Sequence, residues 1–286
     1  MFSGLFRRKQ GTAPASLKLE VIGLCRFSYP AQGGFQHRHE SAEARAGYLY
    51  APERMEERFR LFETITLPSL RAQSDQDFTF LVVIGTDFPQ RERLEALLAD
   101  LPQAVIRAYP PDGKHREVMI DAITSARRPG YRFSLQFRLD DDDGLGRRFV
   151  ERLRATVHDA LPVFARNRHV TVDFNCGHVA RCSPEGIHAL EVSRPYWTPG
   201  LAVVLREDCA LTVMSFNHGK LWKRMPGITL PDKAMFIRGL NDHNDSSVEV
   251  DEQPQLLDKQ QEAAFLKAYG VSAEAVRARY RPAVGG

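Results

Sequence analysis

No stretch of this 286-residue chain approaches the roughly 20 consecutive apolar residues that span a bilayer; runs such as Phe78 to Gly85 are far shorter. Cysteine is scarce. Cys25, Cys176, Cys182 and Cys209 contain no CxxC pair, which argues against a disulfide-stapled secreted domain and for a reducing cytoplasm. The spacing of Cys176, His178, Cys182 and Cys209 matches no common zinc knuckle, so buried free thiols are expected. Excess charge is missing too: 39 basic residues against 36 acidic ones give +3, and the basic residues form no stripe, so nucleic acid is not an expected partner. Repeats and low-complexity blocks are absent. The segment Met1 to Lys9 lacks the apolar centre and cleavage site of a signal peptide. Phe2, Leu5 and Phe6 beside Arg7, Arg8 and Lys9 leave a weak peripheral membrane contact, at the inner face, as the alternative to a frayed terminus.

What is present is an ordinary globular composition, 43% hydrophobic, ample for a buried core. Gly11 to Ser16 reads as a flexible lead-in, so a tail over 1–16 is expected. Leu17 to Cys25 alternates and then turns continuously apolar, as in a strand buried on both faces. Met55, Phe59, Phe62 and Thr66 mark one face of a helix over Glu53 to Leu67, which Pro68 should end or kink. Strands at Phe78 to Ile84, Ala104 to Tyr109 and Arg132 to Leu139 then alternate with helices around Leu94 to Leu101 and Met119 to Ala126. Parallel neighbours require crossover connections of this kind, so the first half predicts a doubly wound sheet covered on both sides.

After a further helix through Phe149, Val150, Leu153 and Val157 the pattern changes. Val170 to Phe174, Leu201 to Leu205 and Leu211 to Phe216 are short strand candidates separated by turns, which predicts a smaller mixed and partly antiparallel second half. A polar link over Ser246 to Pro254 leads to two closing helices, Gln255 to Tyr269 and Ser272 to Tyr280, expected to form a cap. The expected organisation is therefore the tail, an α/β domain over 17–250 and a helical extension over 251–286.

Ligands in open α/β sheets sit at the carboxyl ends of strands. The strand Phe133 to Leu139 ends in Asp140, Asp141, Asp142 and Asp143, and Gly144 then permits a sharp turn. Four adjacent carboxylates repel one another and need compensation, which a divalent cation supplies. Hard oxygen donors suit Mg²⁺ or Mn²⁺, ions that bind through one or two carboxylates plus the phosphates of a substrate. Four consecutive aspartates leave the register of the ligands open, and strand alternation favours Asp142 over Asp141.

A strand followed by Asp-x-Asp-Asp resembles the metal-binding motif of GT-A glycosyltransferases, with Asp140 and Asp142 as its named carboxylates. Arg26-Phe27-Ser28, Pro68 to Gln73, Phe137 to Asp143, Phe216 to Leu221 and Arg238 to Ser246 together resemble the putative rhamnosyltransferase family of bacteria, over approximately residues 20 to 250. The resemblance implies a GT-A-like fold and glycosyl transfer from a nucleotide-diphosphate sugar to a glycan or other hydroxyl acceptor, with rhamnose as the sugar for which the family is named. It implies Asp142 with Asp143 or Asp140 as metal ligands, and Asp140 and Asp141 beside the nucleotide sugar. His218 in its Asn-His-Gly turn is the expected additional metal or diphosphate contact, with His243 competing. The base that takes the acceptor proton is expected among Asp245, Asp232 and Asp242, with Asp245 favoured. Arg26 and Asp87 fall where such folds bind the nucleotide, and Arg116 or Arg138 would meet phosphate oxygens unless Arg138 instead neutralises the aspartates.

Two other classes fit an acidic cluster. A metal-dependent nuclease or phosphotransferase would draw its carboxylates from separated strands and carry a more basic groove. A carbohydrate-binding protein without catalysis would keep the fold and bind donor without turnover.

Overall fold

Residues 17–33, 41–241 and 252–281 are described by the computed structural model. The first apolar run forms β1 (Leu19–Arg26). A capped helix α1 (Ala42–Leu49) leads to α2 (Pro52–Leu61), which passes without a break through a π-helical turn, Phe62–Thr66, into α3 (Leu67–Arg71). Pro68 therefore does not end this helix. The π turn lies directly before it and widens the helix where the proline has no N–H to donate.

The alternation then proceeds as the pattern predicts, with β2 (Thr79–Gly85), α4 (Arg91–Leu98), β3 (Ala104–Tyr109), α5 (His115–Ala126) and β4 (Phe133–Arg138). A short β5 (Gly144–Leu145), α6 (Phe149–Asp159), α7 (Leu161–Arg166) and β6 (His169–Phe174) follow. Next come the hairpin β7 (Cys176–Ser183) and β8 (Gly186–Ser193), then β9 (Leu201–Arg206), β10 (Gly227–Leu230), β11 (Phe236–Gly239) and β12 (Gln255–Leu256). Helices α8 (Lys259–Tyr269) and α9 (Ala273–Tyr280) close the described chain. The expected strand at Leu211 to Phe216 is instead a 3-10 turn, Val213–Ser215. Thr212 and Ser215 bond reciprocally to each other's backbone there, which competes with a strand ladder.

The strands form two sheets. One has seven strands in the order β10-β6-β9-β4-β1-β2-β3 and the other five in the order β12-β8-β7-β11-β5. In the larger sheet β9 alone runs antiparallel to its neighbours, so the mostly parallel sheet and smaller mixed second half of a GT-A-like α/β chain are both present. Successive β1 side chains point to opposite faces. Val21 and Cys25 meet Phe59, Phe62 and Phe149 on one side, while Ile22 and Leu24 meet Met119 and Ile123 of α5 on the other. From β1 the chain winds outward through β2 and β3, then returns to β4 on the opposite flank of β1, which makes the β1/β4 boundary the topological switch point. Among the described residues no helix is long and apolar enough to cross a membrane.

Candidate active site

The aspartate run leaves the large sheet at that switch point and enters the small one. The Leu139 N–H donates to Leu24 O (3.0 Å), which extends the β4 to β1 ladder to the edge of the run, and β5 begins directly after Asp143. The π turn and α3 pin the loop from below: Thr66 Oγ1 donates to Asp143 O (2.8 Å), and Ser69 Oγ accepts from Leu145 N (3.1 Å). Gly239 of β11 passes so close to Asp142 O that any Cβ there would collide with it. Asp141, Asp142 and Asp143 are buried, whereas the Asp140 side chain is 44% exposed.

Two arginines that the sequence reading left without a role bind this loop. Arg58 of α2 pairs with Asp141 (2.9 Å) and Asp142 (3.4 Å), and Arg238 of β11 pairs with Asp143 (2.8 Å) and Asp140 (3.4 Å). Asn241 Nδ2 donates to Asp142 Oδ2 (2.6 Å), and the Gly239 N–H donates to Asp143 Oδ1 (2.9 Å). Part of the compensation expected from a cation thus comes from the guanidinium groups of the buried Arg58 and the largely enclosed Arg238. Burial pushes the Asp141 carboxyl up to about 6 against the pull of Arg58, and raises Asp143 well above the usual carboxylate range. The surrounding protein also opposes ionisation of Asp140, but Arg238, Arg138 and Arg26 outweigh it and hold that carboxyl low.

Among the described residues the group able to hold a metal is Asp140, Asp142 and Asp143, whose donor atoms all lie within 4.8 Å of one another. The donor set is hard oxygen, as Mg²⁺ or Mn²⁺ requires. Its members differ in availability. Both Asp143 oxygens already accept hydrogen bonds and its side chain is wholly buried, while Asp140 faces outward. A cation taken up through Asp140 and Asp142, with Asp143 holding the loop in shape, fits the geometry. The four cysteines are free and form no such group with His178.

Arg26 and Arg138 end β1 and β4 on either side of the switch point, and both act electrostatically on Asp140 and on His115. His115, at the start of α5, was not singled out from the sequence. Burial first, then Arg26 and Arg138, push its imidazole down to about 3, and its Nδ1 is buried without a hydrogen-bond partner. His218 opens a 3-10 turn, His218–Lys223, and feels Arg138, Asp140 and Arg238, but its ring nitrogens lie outside the metal-capable group. Asp87, past the end of β2, accepts from Tyr50 Oη (2.9 Å). Arg116 is turned toward the 3-10 turn Val213–Ser215, its Nε donating to Met214 O (2.8 Å). Asp232 is held by Arg152 (2.6 Å) and lines a different cavity whose lining includes none of the four aspartates. Asp242, His243 and Asp245 lie outside the described residues.

A sequence model of the family described as "Putative rhamnosyl transferase" matches residues 20–253. No curated protein matches the chain. Among solved structures, S. aureus TarS 1-349 in complex with UDP-GlcNAc is similar at 10% identity and a TM-score of 0.41, over 82% of this chain and 62% of that one. The same fragment in complex with UDP gives 12% and 0.41, over 78% and 60%. A putative nucleotide-diphospho-sugar transferase from Desulfovibrio desulfuricans G20 gives 14% and 0.32, over 75% and 81%. The chain spans about three fifths of the TarS fragment, and likenesses this distant carry no weight for function.

Proposed function

Because the chain belongs to the family described as "Putative rhamnosyl transferase", whose model covers residues 20–253, and is therefore a glycosyltransferase, we propose that it binds a nucleotide-diphosphate sugar with a divalent cation at the β1/β4 switch point and transfers the sugar, rhamnose in our reading, to a hydroxyl acceptor such as a glycan. The observation that carries the reading is the convergence of Asp140, Asp142 and Asp143 donor atoms within 4.8 Å at the carboxyl end of a central strand. When bound there, the cation supplies positive charge against the diphosphate leaving group.

The chain's own groups divide the remaining work. Arg26 and Arg138 flank the crevice and orient phosphate oxygens, a task suited to the planar guanidinium fork. His115 is neutral across the physiological range and offers a hydrogen bond without adding charge. Asp87, held by Tyr50 past the end of β2, is our assignment for the nucleoside end of the donor. Of the three carboxylates considered as base, Asp232 is committed to Arg152 at a separate cavity, which leaves Asp245, favoured over Asp242, as our candidate to take the acceptor proton.

The test is a thermal-shift screen of uridine and thymidine diphosphates with and without Mn²⁺, comparing the parent with Asp140→Asn. Stabilisation that requires both the ion and Asp140 is expected, and a response that survives the substitution unchanged would overturn the assignment. The ion pairs of Arg58 and Arg238 favour a second reading, in which arginines carry the compensation and no ion is needed. Nucleotide binding and sugar transfer that persist in EDTA would select it.

A further inference from the structure

A second cavity, of about 630 Å³, lies among α6, α8 and the segment before β11. Arg147, Arg148, Arg152, Lys233 and Lys267 line it, with Asp232 as the one acid among the described residues. That acid is already bound to Arg152 at 2.6 Å, and Arg148 pairs with Glu151 at 2.7 Å. Lys233 stands 3.9 Å from an exposed Glu191 oxygen. Among the described residues neither Arg147 nor Lys267 has an ion-pair partner, so the cleft carries uncompensated positive charge. This cavity comprises none of the aspartates of the candidate active site.

Its frame is stitched rather than loose. The Gly146 N–H donates to Met235 O (2.8 Å) and the Arg147 N–H to Ala268 O (2.8 Å), which ties the start of α6 to β11 and to α8. Ala234 sits at φ +56°, a left-handed conformation uncommon for a residue with a Cβ, and Gly146 packs against it so closely that a side chain there would collide. Ala264, Lys267 and Ala268 share one face of α8, where the small alanines leave the open volume and the lysine projects charge beside it. Met235 completes an apolar floor.

From this combination we infer that the cleft binds a phosphate-bearing ligand. Guanidinium and ammonium side chains lining one cleft match the several oxygens of a phosphate. The volume lies within the range of roughly 300–1,000 Å³ typical of small-molecule sites, so the phosphate is carried on an organic body that rests on the Met235, Ala264 and Ala268 floor. Asp232 serves here as the clamp that fixes Arg152. A soluble phosphorylated compound and a lipid phosphate headgroup share this chemistry.

The test is calorimetric titration of inorganic pyrophosphate in EDTA, together with cosedimentation on phosphatidylglycerol/phosphatidylcholine vesicles. Both use the parent, the double variant Arg147→Ala/Lys267→Ala, the cavity-filling Ala264→Phe, and Asp140→Asn. We expect pyrophosphate binding to weaken at least tenfold in the double variant and in Ala264→Phe and to persist in Asp140→Asn. Vesicle binding with the same dependence but no pyrophosphate binding supports the site and assigns its phosphate to lipid. Three results overturn it: no binding of either probe, loss in Asp140→Asn with retention in the double variant, or retention in Ala264→Phe, which would mean surface charge alone.

Discussion

Arg238 is largely enclosed between two carboxylates, and its contact with Asp143 is the tighter one at 2.8 Å. Asp143 in turn is wholly enclosed, its other oxygen accepting the Gly239 N–H. Removing one partner of such a pair strands the other in a low-dielectric interior, at a cost of about 3–5 kcal/mol. Arg238→Met is therefore expected to lower unfolding free energy in urea by about that amount, and the double variant Arg238→Met/Asp143→Leu to recover most of it. A single variant as stable as the parent would show that the pair contributes nothing. His115 yields a prediction of sensitivity to acid. Its folded pKa lies near 3 against 6.5 for the unfolded chain, so the folded state declines a proton that the unfolded state takes. The corresponding stability is fully present above about 6.5 and is lost as pH falls toward 3. The stability difference between parent and His115→Gln should shift against the parent across that window in urea titrations; a difference independent of pH would contradict the burial argument.

Between elements, four side chains join α2 and its π turn to α4 and α9. Glu56 meets Arg93 at 2.6 Å and Arg279 at 2.9 Å, and Glu63 meets the same arginines at 3.1 and 2.9 Å. Hydrogen bonding from Arg93, above all, pulls the Glu56 carboxyl down to about 2. A carboxylate depressed in the fold contributes stability above its unfolded value near 4.5, and that contribution fades as pH falls toward 2. These groups are partly solvated, so the network is worth at most about 1 kcal/mol. Its local effect is easier to measure. Trypsin should cut after Arg277 and Arg279 faster in Glu56→Gln/Glu63→Gln than in the parent at neutral pH, and equal rates would detach α9 from this network. The helices and strands that make these junctions were largely legible in the sequence, because both-face apolar runs and the 3.6-residue repeat depend on burial alone. The hairpin of β7 and β8 was not, since Cys176, His178 and Arg181 interrupt any simple alternation. The aspartate run was readable as a candidate site from its place after an apolar strand. Its partners Arg58 and Arg238 were not, because a buried arginine looks like a solvated one until the opposing carboxylates are folded against it.

In the whole molecule the aspartate loop is the seam between two sheets, and the second sheet depends on the end of the chain. Ile237 of β11 and Ala180 and Ile187 of the hairpin form one apolar cluster with Leu61 and Ile65 from α2 and its π turn, and with Phe265, Tyr269, Val271 and Val276 from the closing helices. Tyr269 adds polar ties across the same junction, its hydroxyl donating to Phe236 O (3.1 Å) and lying 2.7 Å from His178 Nδ1. Each of those four closing side chains contributes about 1.5–3 kcal/mol when buried, so the set amounts to about 6–12 kcal/mol. That is comparable with the total stability of a typical folded protein, about 5–15 kcal/mol. A chain ending at residue 257 should therefore fail to show a cooperative thermal transition and should expose apolar surface to a hydrophobic dye. Loss would reach the candidate site too, because Arg238 and Gly239 hold the aspartates from β11, the strand that Tyr269 supports. A truncated chain that melts cooperatively and keeps Mn²⁺-dependent nucleotide binding would instead make α8 and α9 a dispensable extension.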